Sequence, residues 1–456
     1  MLQDHDKALE AIEQLIESED LASLHLFLED LHPGDLAYLT SHLDQPYLNT
    51  TLEQLKEHQE LEEVIFLMDP EPVAYLLKSM QTSQIKLLFS KLDTDDSAKI
   101  ISLIPPDLAE WVLANMAPEE SRETASLLDF PEDTAGRLMA PDYFAMPEDS
   151  TVLEAFQDLK KSHDAETVYS IFILDQQKHL VGVCSLRELL TEPNNRKLKE
   201  FMQENVISIS AETDREDVAL VFERHHINAL PVVDNQNRML GIITIDDMIH
   251  VLRSEATEDI MKLAGTTADE FTLQSPLKGF LRRMPWLLVS FFGGMITIQT
   301  NIYFAALISH VEFLAFITII AGMGGNIASQ SSTIVVRGLA TGKILVSELG
   351  SVLAKEVMIG LLLGLFFGLM LALMASLQFN EVHFIGISVM AGMLFSMLIA
   401  ATVGSLMPIV FQRLSIDPAV ATGPFVSTTI DNLGLLGYFG SVTLILRFFL
   451  VPWKKF

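Results

Sequence analysis

The chain has 456 residues, 49% of them apolar, and carries 30 Lys and Arg against 60 Asp and Glu, a formal net charge of −30. That balance excludes a nucleic-acid binder, which needs a basic surface to neutralise phosphate, while the apolar fraction and positive mean hydropathy point to membrane segments beside a soluble part. A single cysteine, Cys184, excludes an intrachain disulfide and a thiolate metal cluster and suits a reducing compartment.

The charge is divided unevenly along the chain. Residues 1–277 hold 20 basic and 54 acidic side chains and residues 278–456 hold 10 and 6, so the net charge passes from −34 to +4. Two solvents are implied, water for the first part and a bilayer for the second. The acidity of the first part serves either plain solubility or the binding of hard cations. Met1 to Asp20 is acidic and lacks a basic-then-apolar leader, so the N-terminus is expected to stay cytoplasmic.

Residues 1–140 read as an acidic, all-α superhelical domain. An apolar residue enters a turn at Met68, Met80, Leu92, Ile104, Met116 and Leu128, a spacing of 12 each time. Asp69-Pro70, Asp93-Thr94, Pro105-Pro106, Pro118 and Asp129 follow with residues that cap or start helices. The pattern predicts helices of roughly eight residues, each stable only because its neighbours bury its apolar face.

From 141 to 252 short apolar runs alternate with amphipathic helices, and the pattern occurs twice. In the first copy a helix from Val152 to Lys161 precedes strands at Val168 to Leu174 and Val181 to Val183 and a closing helix from Leu186 to Leu190. The second copy has a helix beginning at Asp214, strands at Ala229 to Val233 and Leu240 to Thr244, and a helix from Asp246 to Val251. The repeated strand-Gly-strand-Ser/Thr-x-x-acid signature resembles a tandem pair of α/β CBS domains, spanning 141–200 and 201–252. That resemblance implies an adenine nucleotide such as ATP as a ligand, with Tyr169, Arg187 and Glu188 as candidate contacts to base and phosphate. The chain lacks a Gly-rich phosphate loop of the ATPase type.

Residues 253–283 form a connecting, plug-like segment of one helix or two, acidic at Glu255, Glu258 and Asp259, basic at Lys278, Arg282 and Arg283, with a hinge at Gly265-Thr-Thr. Residues 284–456 read as an all-α transmembrane domain. Its five apolar stretches, at about 285–308, 313–339, 350–377, 383–411 and 418–450, are each long enough to cross a bilayer. Lys and Arg precede the first stretch (Lys278, Arg282, Arg283) and fill the second and fourth connections (Arg337, Lys343 and Lys355; Arg413), while the first and third connections have neither. The positive-inside rule then places the N-terminal domains in the cytoplasm and the C-terminus outside, in a multi-pass protein of the cell membrane, although Lys454 and Lys455 run against it.

Asp431 falls well inside the fifth stretch, where a carboxylate costs about 2.5–3.5 kcal/mol on insertion scales. The basic residues of this half lie near the ends of the spans, leaving a proton, a water-filled cavity or a metal ion to compensate it. Gly423, Ser427 and Asp431 recur every four residues, along one small or oxygen-bearing stripe. Asp417-Pro418 marks the predicted helix start, and Pro424 frees carbonyl oxygens near the cytoplasmic mouth. The second stretch contains Gly324-Gly325-Asn326 with Gln330 and Ser332, a composition that serves close helix packing or a polar pore lining. Gly325 and Asn326 are the candidates there.

The order of acidic superhelix, CBS pair, connecting helix and five spans resembles the MgtE family of Mg²⁺ transporters over nearly the whole chain. Asp129-Phe-Pro-Glu-Asp-Thr-Ala-Gly-Arg-Leu-Met139, Gly324-Gly-Asn326, Asp417-Pro-Ala419 and Gly423-Pro-Phe-Val426 with Asp431 carry the likeness. The resemblance implies Mg²⁺ uptake by a homodimer whose pore is lined by spans two and five, with Asp431 selecting the ion. It also implies gating by cytoplasmic Mg²⁺. Asp93, Asp95, Asp96, Asp214, Glu216, Asp217, Asp246, Asp247, Glu255, Glu258 and Asp259 are the candidate sensor ligands, acids that repel one another unless cations bridge them. The chain departs from the family pattern at Ala328-Ser329, at Asn432-Leu433, and at His250, which stands where an acid is expected.

Other readings separate on chemistry. An intramembrane aspartyl hydrolase would need two converging carboxylates, whereas Asp417 and Asp431 lie fourteen residues apart on one predicted helix, roughly 21 Å along its axis. A non-transporting CBS sensor leaves the buried Asp431 unused. The choice among Mg²⁺, Mn²⁺, Co²⁺ and Ca²⁺ stays open, since one carboxylate with carbonyls admits several hard ions.

Overall fold

A computed structural model of the chain describes residues 2–161, 170–267, 276–307, 311–344, 348–379, 384–414, 416–421 and 423–450. The sequence candidate Tyr169 and the lysines 454 and 455 lie outside them. The chain divides into two compact units, Met1–Val251 and Leu252–Phe456.

In the first unit, α1 to α4 (Leu2–Glu17, Leu21–Glu29, Pro33–Thr40, Gln45–Leu55) lead into α5 to α10 (Leu61–Leu67, Pro70–Ser79, Thr82–Phe89, Thr94–Leu103, Pro106–Asn115, Pro118–Leu128) and the short α11 (Ala135–Leu138). From α6 onward the helices start twelve residues apart, as the repeat predicts. Met68, Met80, Ile104 and Met116 are the residues on which α5, α6, α8 and α9 end, and all four are buried. Pro70, Pro106 and Pro118 stand at first helical positions, where a missing N–H costs nothing. One continuous apolar core runs beneath α1–α9.

The CBS pair follows. Its first copy has β1 (Ala145–Pro147), α12 (Val152–Leu159), β2 (Ser170–Leu174), β3 (Leu180–Ser185) and α13 (Leu186–Thr191); its second has β4 (Ile209–Ser210), α14 (Arg215–His225), β5 (Ala229–Val233) and β6 (Met239–Thr244), then α15 (Ile245–Ala264). Each sheet joins its first strand in parallel to its second and the second antiparallel to the third, with a bulge at Ile173/Leu174 and again at Val232/Val233. The strand glycines are positions of close approach: a Cβ at Gly241 would lie 2.5 Å from the Ala140 carbonyl oxygen. Ala98 of α8 and Leu127 of α10 are buried in the same core as β4, β5, β6 and α14, which brings the start of α8 beside the second CBS copy.

The structure corrects one element of this unit. The closing helix of the second copy and the connecting helix, read as separate, are one 20-residue helix, α15, which ends where Gly265 takes a left-handed φ of 77°.

Among the described residues the second unit holds five helices long and apolar enough to cross a membrane: α16 (Pro276–Leu307), α17 (Ile317–Ala340), α18 (Leu349–Gln378), α19 (Ile385–Arg413) and α20 (Gly423–Leu450). α19 is the hub, packed on α17, α18 and α20, while α16 rests on α20. Small residues let the backbones approach. A Cβ at Gly404 of α19 would fall 2.6 Å from the Ala328 carbonyl oxygen of α17, and Gly360, Gly364 and Gly368 of α18 press on the α19 backbone. Ala328, one of the departures from the family pattern, is fully buried in this contact. The sequence predicts the fifth helix from Asp417-Pro418. Instead residues 418–421 form a 3-10 turn and α20 starts at Gly423, so Asp417 is not on that helix. Pro424 is the second residue of α20, a position whose N–H has no helical partner in any case.

Candidate cation sites

The strongest grouping of acids lies in the first unit. Asp95 and Asp96 occupy the first turn of α8 and Asp247 the first turn of α15, and one oxygen from each carboxylate falls within 4.8 Å of the other two. Local chemistry fixes Asp247, whose Oδ2 accepts a hydrogen bond from the Thr244 hydroxyl at 2.8 Å, as the Ser/Thr-x-x-acid pattern anticipates. Burial, and next the Asp247 carboxylate beside it, push Asp96 up to about 7. Burial raises Asp247 as well. Asp93, raised by burial and by Asp142, and Asp246 stand at the edge of the group.

Three hard carboxylates suit a divalent cation. Ligand oxygens on one Mg²⁺ stand about 2.9 Å or about 4.2 Å apart, given bonds of about 2.1 Å in an octahedron. At most one pair among three such ligands can be trans, so the three carboxylates, whose oxygens lie within 4.8 Å of one another, bind the ion by closing further on it or through water. Sequence reasoning misses Lys99, one turn along α8. Its ammonium lies 3.5 Å from the centroid of the Phe66 ring, and its charge acts on Asp96, Asp247 and Asp95. His250 packs edge-on against the same ring. An aromatic shelf and two basic side chains thus stand where one more acid was expected.

The remaining sensor candidates lie elsewhere. Asp214 caps α14 by accepting from the Glu216 N–H at 2.8 Å, and Glu216 and Asp217 occupy the first turn of that helix, exposed positions that complement its dipole. In the second unit, Glu258, Asp259 and Asp417 come together around Lys262. Its ammonium contacts Glu258 Oε1 at 2.5 Å and Asp417 Oδ2 at 2.6 Å. Burial opposes the charge, but hydrogen bonds to Asp417 and Glu258 hold Lys262 above the usual lysine range. Asp259 is raised by burial and by Asp417, with Arg337 at 3.8 Å. Glu255 lies one turn earlier on α15. At this end of α15 an internal ammonium already bridges the acids, and the Leu263 carbonyl oxygen would lie 3.2 Å from a Cβ at Gly423.

Inside the membrane unit Asp431 is half-buried in α20. Among the described residues no hydrogen-bond donor or cation contacts its carboxylate. Ser427, one turn before it, donates to the Gly423 carbonyl at 3.0 Å. Gly324 of α17 packs on Ile430, so Gly325 and Asp431 lie at one level. On α17 the side chains of Asn326, Gln330 and Thr333 are exposed along one stripe, whereas Ser331 and Ser332 are buried. Asn432, another departure from the family pattern, links helices: its amide donates to the Gly293 carbonyl of α16 at 3.2 Å, and Thr297 donates to its oxygen at 3.1 Å. With Asp417 held by Lys262 and by the Ala419 N–H, no carboxylate dyad forms.

Between the two CBS copies lies a cavity of about 390 Å³, lined among others by Phe172, Ser185, Glu188, His226 and Asn228. Glu188 is bound into its helix start, accepting from the Ser185 N–H and hydroxyl. Arg187 is exposed and does not line the cavity. Burial pushes the Cys184 thiol on the cavity wall up to about 12.

Comparison with known proteins gives matches along most of the chain. Family models match the MgtE intracellular N domain at residues 31–133, a CBS domain at 135–195 and 198–254, and the MgtE divalent cation transporter domain at 317–441. The magnesium transporter MgtE of Thermus thermophilus is 31% identical over 451 residues, covering 97% of this chain and 99% of its own. That of Enterococcus faecalis is 34% identical over 333 residues, 73% of each chain. Among solved structures, the cytosolic domain of the Mg²⁺ channel MgtE in complex with ATP is 30% identical and covers 53% of this chain and 99% of that one, with a TM-score of 0.49.

Two outcomes are expected at the acidic trio. Because Asp96 holds a proton up to about pH 7, Mg²⁺ must displace it at lower pH, so affinity at this site should fall by about tenfold for each unit below about 7 and level off above about 8, read by calorimetric titration. Lys99→Met removes the internal cation and should tighten Mg²⁺ binding several-fold in the same titration, an effect that raised salt diminishes.

Proposed function

Because the chain belongs to the MgtE family, multi-pass membrane transporters of divalent cations and not enzymes, we propose that it passes Mg²⁺ through a pore formed by α17 and α20 of two copies and closes when cytoplasmic Mg²⁺ is ample. The observation that carries this reading is Asp431: a carboxylate within a membrane span, without a protein partner among the described residues, level with the start of a polar stripe on α17.

Physical chemistry supplies the rest. Asn326, Gln330 and Thr333 face away from the bundle of a single chain, where lipid solvates them poorly. A second copy about a two-fold axis turns that stripe into the wall of an aqueous path and sets two Asp431 carboxylates across it. Mg²⁺ surrenders its waters reluctantly, so two carboxylates with amide and hydroxyl oxygens at hydrogen-bond distance suit passage of a partly hydrated ion. Gly423 and Ser427 continue the small, oxygen-bearing side of α20 toward the cytoplasmic mouth, near Asp417. The charge pattern of the loops supports a cytoplasmic N-terminal half and an external C-terminus.

For gating, Asp95, Asp96 and Asp247 support a Mg²⁺ site that draws the start of α8 toward the start of α15. Without a cation the three carboxylates repel and part of the group stays protonated; with it, the two helix starts are drawn together. The cavity between the CBS copies falls within the size range of small-ligand sites and supports a nucleoside there. Its lining has no Lys or Arg among the described residues, so phosphates of a bound nucleotide would have to reach outward.

Radiotracer-free Mg²⁺ uptake into proteoliposomes, read with an internal Mg²⁺ dye, tests both parts. Asp431→Asn should lower flux by tenfold or more, and wild-type flux in that variant would sink the pore assignment. Asp96→Asn should leave flux at low cytoplasmic Mg²⁺ intact while moving the half-closing concentration up several-fold; an unmoved closing curve refutes the sensor role.

A further inference from the structure

A second carboxylate is buried in the membrane unit, and nothing in the transport reading uses it. Glu356 lies seven residues into α18, inside the third span, and is only 4% exposed. It continues the stripe of Gly360, Gly364 and Gly368 that faces α19. Among the described residues no cation pairs with it. Its Oε2 accepts a hydrogen bond of 2.7 Å from the hydroxyl of Ser331 on α17, itself 4% exposed.

The surroundings explain why such a bond matters. α17 leans on α19 and α20 through small side chains and bare backbone: Gly324 against Ser396 and Ile430, and Ala328 against Gly404. Ile320, Ile327 and Val335 of α17 are buried beside these contacts, but apolar burial is non-directional and sets the inward face of the helix only broadly. A hydrogen bond is directional, and within hydrocarbon no water competes for it. Ser331 lies about 140° around α17 from Asn326 and about 160° from Thr333, at 3.6 residues per turn. Holding Ser331 inward therefore holds the polar stripe outward.

We infer that Glu356 is a positioning residue for the ion path: by accepting the Ser331 hydroxyl it fixes the rotation of α17, so that Asn326, Gln330 and Thr333 face water. This rests on the reading that α17 lines the pore. The bond needs an acceptor at this point and not a negative charge, which separates the role from ion binding.

The test uses full-length protein in proteoliposomes with Cys184→Ser, in which Asn326→Cys is labelled by a membrane-impermeant maleimide and Mg²⁺ flux is measured in parallel on the same chains without Asn326→Cys. Glu356→Leu and Ser331→Ala should each lower the labelling rate and the flux by fivefold or more, and the double variant should be no worse than the poorer single, as expected of two ends of one bond. Glu356→Gln, whose amide oxygen still accepts, should keep both within twofold. Should Glu356→Leu fail to assemble, Ser331→Ala and Glu356→Gln carry the comparison. Multiplicative losses in the double variant, labelling that ignores Ser331→Ala, or a Gln variant as impaired as the Leu variant each overturn the inference, the last by showing that the charge itself is used. An Asn326→Cys that does not react even with Glu356 and Ser331 in place removes the pore reading and this inference together, whereas a reactive cysteine indifferent to Glu356 and Ser331 removes only the inference.

Discussion

Hydrocarbon solvates neither carboxylates nor amides, and the polar side chains of the membrane unit divide according to how they meet that constraint. Tyr438 spends its hydroxyl on the Phe313 carbonyl, Asn432 joins Gly293 and Thr297, Ser427 returns to its own helix, and Ser331 meets Glu356. These groups are satisfied within one chain and stitch its helices together. Among the described residues, Asp431 and the Asn326, Gln330 and Thr333 stripe are not handled in that way, and neither are the buried hydroxyls of Ser332, Ser388 and Ser396. The charge of Asp431 and the exposure of the stripe are what separate the side chains we assign to the ion from those that build the bundle.

The aqueous unit faces the opposite problem. Its acids far outnumber the basic side chains that could neutralise them, and many, such as Asp214 and Glu216, are placed where water or a helix dipole accommodates them. Among the described residues acids converge at one place in this unit and at another in the second unit, and the chain meets each differently. At Asp95, Asp96 and Asp247 the nearby Lys99 lies over the Phe66 ring instead of bridging the carboxylates, and His250 packs edge-on against the same ring. Around Lys262 the ammonium sits directly between Glu258 and Asp417. A mobile cation has more to gain at the first place than at the second.

Much of this was legible in the sequence because it rests on local rules. A turn every twelve residues, proline at first helical positions, and the duplicated strand-Gly-strand signature are short-range signals, and the helices and sheets follow them closely. Asp431 stood out because an acid in an apolar stretch is anomalous whatever surrounds it. Glu356 is an acid in an apolar stretch too, yet it lies one residue from Lys355 near the start of its helix, where a charge is unremarked; only its burial and its bond to Ser331, 25 residues away, mark it out. The acid trio likewise depends on α8 meeting a helix some 150 residues later, and no periodicity carries that. The start of α20 was misplaced because Asp417-Pro418 has the composition of a helix start and is used to begin a single 3-10 turn.

The two CBS copies place an acid at the same point, three residues after the Ser or Thr that precedes the closing helix. In the first copy Glu188 is absorbed in capping that helix. In the second, Asp247 accepts from Thr244 through Oδ2 and has a carboxylate oxygen within 4.8 Å of those of Asp95 and Asp96 on α8. A position that starts a helix thus comes already supplied with one of the three acids of the trio. After duplication, a neighbouring domain needs only an acidic helix start of its own at the right place for ion sensing to arise, without any change to the residue that first held the fold.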